Sequence, residues 1–306
     1  MRFSIYQASR QGGRKYNQDR VAYSYSKEAL LMVLADGMGG HLHGEVAAQV
    51  TVQMVTSLFQ NQAKPKIGNP FMFLTEAIQS AHMAVNEYAA EHELLDAPRT
   101  TIVACLVQDD HAYWAHVGDS RLYHIRGTEI IGRTRDHSRV QQLYEDGKIT
   151  EQQLATHPER NKIYNCLGGY VTPEVDVSRK VPLQEGDSIL ICTDGLWSMM
   201  TPNEIISIFQ AYPLQQAVLE LLDHAEFRGG EDGDNLSAVG MTWGGSRRVA
   251  KEETATATMP MDQVTTLMDN ADFSKDKADL SDNEIEQAIA EIQEAIQRYT
   301  RNKTVK

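Results

Sequence analysis

The sequence predicts an α+β fold, a sandwich with hairpin-type strands and not a doubly wound parallel sheet. Two observations carry this. The apolar runs are short, rich in Val, Ile, Leu and Tyr, and bounded by Gly, Asp or Asn, as strands are. The segments of helical period are grouped together; they do not follow each strand in turn.

In chain order, Phe3–Ala8 and Leu30–Ala35 read as strands. Gly44–Phe59 then carries Val46, Val50, Met54 and Leu58 at helical spacing, and Phe71–His92 carries Leu74, Ile78, Ala81 and Val85. Thr101–Val107, Ala112–Val117 and Arg121–Ile125 return to strand character, with Asp109-Asp110 as the turn between the first two. Residues 137–169 interrupt the pattern with short polar helices around Gly147. Thr150 there is a candidate cap, with Gln153 reaching back to it. Ser188–Thr193 is a further strand, Pro213–Phe227 a third helix, and a last strand closes near Trp243.

After Gly244-Gly245 the composition shifts. Residues 246–280 are rich in Thr, Met, Ala and Asp and lack periodicity, so 245–280 is expected to be a flexible linker. Residues 281–306 open on a capping box, Ser281-Asp282-Asn283-Glu284. Ile285, Ile289, Ile292, Ile296 and Tyr299 then share one helical face. That face is covered either by the chain's own core or by a partner or second copy, and the pattern does not choose between them.

The 306 residues carry a formal net charge of −13, which argues against a nucleic-acid partner, since phosphates call for a basic face. No run approaches the ~18 apolar residues of a membrane helix. The start, Met1 to Tyr6, lacks the apolar stretch of a secretion signal. Cys105 and Cys192 sit inside apolar runs and Cys166 stands apart, so all three are expected to be reduced thiols in a cytoplasmic protein.

Four acidic motifs, far apart in the chain, carry the chemistry. They are Asn17-Gln18-Asp19, Asp36-Gly37-Met38-Gly39-Gly40, Thr193-Asp194-Gly195 and Asp234-Asn235. The run Leu30–Ala35 ends at Asp36, and Ser188–Thr193 ends at Asp194. An apolar strand ending in Asp-Gly buries its body and presents a carboxylate at its tip. Each Asp alone reads better as a turn or cap residue. Several together, with no Cys or paired His at zinc spacing, point to oxygen ligands for Mg²⁺ or Mn²⁺.

With these motifs in this order, residues 1–244 resemble the bacterial metal-dependent protein serine/threonine phosphatases of type 2C. Arg14 stands five residues before Asp19. Gly44-Glu45-Val46-Ala47 follows the Asp36 motif, and Thr100-Thr101 precedes Val117-Gly118-Asp119-Ser120-Arg121-Leu122-Tyr123. Asp136-His137-Ser138, His157-Pro158-Glu159-Arg160-Asn161, Thr193-Asp194-Gly195-Leu196-Trp197 and Asp234-Asn235-Leu236-Ser237 complete the set. The ordered set is specific where any single Asp-Gly is not.

The resemblance implies an α-β-β-α sandwich of two antiparallel sheets flanked by helices, with a metal centre at one end. It makes 1–244 the catalytic domain and 137–169 a flap beside the metals; a connecting helical hairpin is the plainer reading of that stretch. It implies two Mn²⁺ or Mg²⁺ ions, with Asp36 bridging both and the Gly37 carbonyl as a further ligand. Asp194 and Asp234 would complete the first ion, and Asp19 would act at the second. Arg14 would hold the substrate phosphate by its planar fork. Asp119 matches a position that binds a third, weaker ion, or is a plain hairpin-turn Asp.

Three residues depart from the pattern of some relatives: Met38 where a proton-donating His stands, Gln18 for Glu, and Arg99 for Gly. Metal-bound water, or His41, would then supply the proton. The implied activity is hydrolysis of phosphoserine and phosphothreonine on proteins, opposing a kinase. The alternatives are a small-molecule phosphoesterase and a catalytically weak scaffold that binds phosphorylated partners.

Overall fold

The computed structural model describes residues 1–38, 43–150, 153–154, 156–244 and 253–268. Strands β1 (Arg2–Arg10), β2 (Asp19–Tyr25) and β3 (Ala29–Asp36) lead into helices α1 (Gly44–Gln62) and α2 (Pro70–Glu91). Strands β4 (Ile102–Gln108), β5 (His111–Val117), β6 (Arg121–Arg126) and β7 (Glu129–Arg133) follow, then helix α3 (Arg139–Glu145). Next come β8 (Asp176–Val177), β9 (Val181–Pro182), β10 (Ser188–Cys192), and helices α4 (Asp194–Trp197), α5 (Pro202–Ala211) and α6 (Leu214–Gly229). Strands β11 (Leu236–Trp243), β12 (Glu253–Ala255) and β13 (Thr265–Met268) end the described chain.

The strands form two sheets. One has the order β12-β1-β11-β10-β6-β7; the other runs β13-β2-β3-β4-β5-β8, with β9 also on β5. Every pairing between them is antiparallel. Strand parity divides the apolar residues into three layers. Leu30, Met32 and Leu34 of β3 face Ile189, Ile191, Val239 and Met241 across the gap between sheets. Leu31, Val33 and Ala35 of the same strand pack under α1 and α2. Tyr123, Leu190, Cys192 and Ala238 pack under α4, α5 and α6. The central strands are covered on both faces, which is why they read as unbroken apolar runs. The α-β-β-α architecture expected from the resemblance is the one observed.

The helix ends follow from local chemistry. Asn69 caps α2 by accepting the Met72 N–H, with Pro70 at the first helical position. Thr201 and Glu204 form a full capping box on α5. The Asp109-Asp110 turn has φ of +52° and +57°, the conformation of a two-residue hairpin.

The expected linker over 245–280 is corrected for the residues described within it. β12 pairs with β1 and β13 with β2, so the tail adds a strand to the outer edge of each sheet. Thr256, between them, is fully buried and donates its hydroxyl to the Lys27 carbonyl at 2.6 Å. The boundary of the sandwich therefore lies beyond Gly244. An edge strand of three or four residues is held by backbone bonds to its neighbour and needs no periodic apolar pattern, so periodicity missed it. The helix expected over 281–306 lies outside the described residues.

Candidate metal centre

The pleat brings the first two acids together. Asp19 opens β2, Asp36 closes β3, and the two are directly opposite in register. Val21 of β2 and Leu34 of β3 face the gap between sheets, so Asp19 and Asp36, two residues along each strand, share that face at its open end. Asp194 starts α4 behind β10, and Asp234 lies in the turn before β11. Asp119 follows β5, is 2% exposed, and completes the group.

Glycines fix the approach. A Cβ on Gly37 would meet the Gly44 carbonyl oxygen at 2.4 Å, and one on Gly195 would meet the Asn235 carbonyl oxygen at 2.0 Å. The Asp-Gly pairs are thus demanded by backbone contact. Asn235 ties the N-terminal loop to the site. Its amide nitrogen donates to the carbonyls of Gln11 (2.7 Å) and Tyr16 (2.9 Å), and its oxygen accepts the Gln18 N–H (2.9 Å). Thr100 donates its hydroxyl to the Asp36 carbonyl at 2.7 Å, and Thr193 donates to Asp19 Oδ2 at 3.0 Å.

The electrostatics are unfavourable for a cluster of acids left to itself. Burial, then the charge of Asp194, pushes Asp19 up to about 7. Burial, then Asp234, pushes Asp194 up to about 6. Asp36 lies well above the usual carboxylate range, through burial and then the charges of Asp19, Asp194, Asp119 and Asp234. Asp119 is raised by burial, then by Asp194 and Asp136. Asp19 Oδ1 is buried with no hydrogen-bond partner. Orphaned buried carboxylate oxygen, mutual repulsion and an all-oxygen donor set fit hard divalent cations.

Arg14 stands at the rim, 52% exposed, with Nε and Nη2 on the two oxygens of Asp234 at 2.9 and 2.7 Å. Every sequence-predicted site residue is therefore in one neighbourhood. Met38 donates its N–H to the Arg99 carbonyl (2.9 Å), and Arg99 keeps a negative φ, so no glycine is needed there. His41 lies outside the described residues.

The sequence reading gave no role to the support around Asp119. Arg121 makes a bidentate pair with Asp136 at 2.9 and 2.7 Å, and its guanidinium lies 3.5 Å over Trp197. Trp197 Nε1–H donates to the Asp119 carbonyl at 2.9 Å. These residues stood in the motifs, but their partners are 15 to 78 positions away in the chain.

A second cluster brings a ring nitrogen each of His116 and His137 and an oxygen of Asp176 within 4.8 Å of one another. Its protons argue against a metal. Asn165 is oriented by Glu174, accepting its N–H at 3.2 Å and donating to its carbonyl at 2.7 Å. The Asn165 amide N–H (2.8 Å) and the Gly118 N–H (3.2 Å) both point at His137 Nδ1. The neutral ring then carries its proton on Nε2, 3.3 Å from Asp176 Oδ2, where a metal would have to bind.

A sandwich with a carboxylate cluster between the sheets defines a metal-dependent phosphatase class. Residues 7–228 match the family described as protein phosphatase 2C, and the chain belongs to it. A serine/threonine phosphatase of Listeria monocytogenes is 30% identical over 222 residues, 72% of this chain and 88% of that protein. The crystal structure of the Mycobacterium tuberculosis serine/threonine phosphatase PstP matches with a TM-score of 0.68 at 29% identity, over 79% of this chain and 99% of that one. A PstP catalytic domain in complex with two manganese ions matches with a TM-score of 0.66 at 28% identity, over 79% and 98%.

Proposed function

We propose that the chain hydrolyses phosphoserine and phosphothreonine on proteins at a divalent-metal centre. The observation that carries this is the convergence of four desolvated Asp side chains, Asp19, Asp36, Asp119 and Asp194, one with an orphaned oxygen, with Asp234 and Arg14 paired at their rim. We assign Asp36 and the Gly37 carbonyl to the pair of ions jointly, Asp194 and Asp234 to the first, Asp19 to the second, and Asp119 to a third, weaker one. Bound Mn²⁺ or Mg²⁺ supplies a water of lowered pKa and shields the phosphate charge.

The protein's own residues do the rest. The Asp carboxylates would hold the ions. Arg14, on an exposed loop held by Asn235 through the Gln11 and Tyr16 carbonyls, has its two parallel N–H donors on Asp234 in this structure and would turn them to phosphate oxygens once an ion takes Asp234. Met38 carries no transferable proton, so water, or His41, would deliver the proton to the leaving oxygen. The open rim suits a phosphorylated segment of another protein, supplied by an opposing serine/threonine kinase. Among the described residues no helix is long and apolar enough to cross a membrane. The three cysteines are free, which supports a reducing, cytoplasmic setting.

The test is phosphate release from a phosphothreonine peptide with Mn²⁺, with Asp36→Asn as control. Chelator should abolish release and Mn²⁺ restore it. Full activity in excess chelator, or a trapped phosphoprotein, would overturn the proposal.

A further inference from the structure

Arg99 stands beside the acidic cluster with a cation that the cluster does not use. Its carbonyl accepts the Met38 N–H at 2.9 Å, one residue past the Asp36-Gly37 pair. Thr100, next in the chain, bridges to Gly37 and to Leu167. Neighbouring strands lie about 4.8 Å apart, so the Arg99 backbone is at the edge of the acidic centre.

The side chain is short of acceptors. It is 34% exposed, and its one hydrogen bond among the described residues is to Asp96 Oδ1 at 3.5 Å, a long contact. Asp96 is itself 52% exposed, so water screens the pair. The Arg99 Nε is buried with no partner. A guanidinium carries five N–H donors in one plane, and a buried donor left unmet destabilises the fold. The neighbouring turn is rigid. Gly168 and Gly169 have φ of +84° and +79°, and a Cβ on Gly168 would meet the Pro98 carbonyl oxygen at 2.0 Å. The Gly168 N–H donates to His82 Nδ1 at 3.2 Å, and the Asn86 amide donates to the Gly169 carbonyl at 3.0 Å. A Cβ on Gly169 would lie 3.6 Å from Nε and 3.8 Å from Nη2 of Arg99. Glycine there keeps a side chain off that edge of the guanidinium.

The backbone does not ask for Arg at this position. Its φ is negative, and the bond to Met38 comes from a carbonyl that any residue carries. A planar fork beside a fixed turn, partly exposed and short of acceptors, suits a carboxylate brought by another molecule. We infer that Arg99 is a specificity-determining residue that receives an acidic side chain of the protein substrate, a few residues from the phosphorylated one. This rests on the reading of the adjoining centre as a protein phosphatase site. The net charge of −13 repels acidic peptides as a whole, so a preference for one requires a local cation.

The full chain with Mn²⁺ would be given pairs of phosphothreonine peptides that differ only by Asp or Asn at one flanking position, scanned along both sides. At the position that meets Arg99, kcat/KM should favour Asp by about threefold to tenfold, between an exposed ion pair and a desolvated charged hydrogen bond. The preference should shrink as salt rises. Each ratio compares two peptides on one enzyme, so a general loss of activity in a variant does not move it. Arg99→Gln should bring the ratio to one or below. Arg99→Lys keeps the charge without the fork and should keep part of the preference. Arg99→Glu should favour Lys over Asp at the same position, which decides the matter even if Arg99→Gln does not fold. If the wild-type chain releases phosphate from none of these peptides, the phosphatase reading fails and the inference with it. If it releases phosphate but shows no Asp preference at any position, or if Arg99→Gln and Arg99→Glu keep the wild-type preference, the role of Arg99 alone is wrong.

Discussion

The Arg121–Asp136 pair is the buried charge interaction on which the Asp119 side of the site depends. Its side chains are 8% and 4% exposed, and the contact is bidentate at 2.9 and 2.7 Å. Asp136→Asn keeps the shape and removes the charge, and it turns one carboxylate oxygen into an amide nitrogen facing a guanidinium N–H. Arg121 would then keep one neutral amide oxygen, the Tyr123 hydroxyl at 3.1 Å and the Trp197 ring, with no counter-charge among them. Breaking a buried pair in this way costs about 3–5 kcal/mol, because the remaining ion is desolvated without compensation. At about 2–4 °C per kcal/mol for a domain of this size, Tm should fall by roughly 6–20 °C. Urea unfolding of the chelated protein measures the loss directly. The double variant Arg121→Leu/Asp136→Leu should recover much of it, since neither charge is then stranded. A single-variant loss under about 1 kcal/mol would refute the reasoning, because it would mean that water already reaches the pair.

Asp36→Asn and Asp194→Asn should each lose Mn²⁺ affinity and nearly all turnover, whereas Arg14→Ala should retain Mn²⁺ binding and lose roughly 10- to 150-fold in kcat/KM, the value of one charge-assisted hydrogen bond; normal metal affinity in both Asp variants would refute the ligand assignment. In the chelated protein the folded pKa of Asp19, about 7, and of Asp194, about 6, lie above the ordinary carboxylate value. The folded chain then binds more protons than the unfolded one from about pH 4 to 7, so stability should fall as pH rises through that window. Added Mn²⁺ should stabilise most at the upper end, and a metal-free melting temperature that rises from pH 5 to 8 would contradict this. A chain ending at Gly244 removes β12 and β13 and leaves β1 and β2 as open edges. It should melt earlier and self-associate on sizing columns while still cleaving a small aryl phosphate; an unchanged Tm and a monomeric profile would show that the two tail strands contribute nothing.

Asp36, Asp119, Asp194 and Asp234 were legible in the sequence because each ends or begins an apolar run beside a glycine, a pattern that backbone sterics impose locally; Asp19, between Gln18 and Arg20, was legible only from its place in the ordered motif set. The central strands and α1, α2 and α6 were legible for a similar reason: burial on one or both faces writes a period into the chain. β2 was not read, since Arg20 and Ser24 are polar yet buried, satisfied by Gln49 and by Thr265 and Thr266 far along the chain. Nor were β12 and β13, whose stability comes from a neighbour's unpaired backbone and not from their own side chains. The raised carboxyl pKa values, the orphaned Asp19 oxygen and the grip of His137 on Gly118 exist only once distant segments meet. Sequence determined which groups could bind a cation, because residue type and local turn geometry are local properties. Tertiary structure alone decided their desolvation, their mutual repulsion and the partners that hold them, because those depend on distances the linear order does not contain.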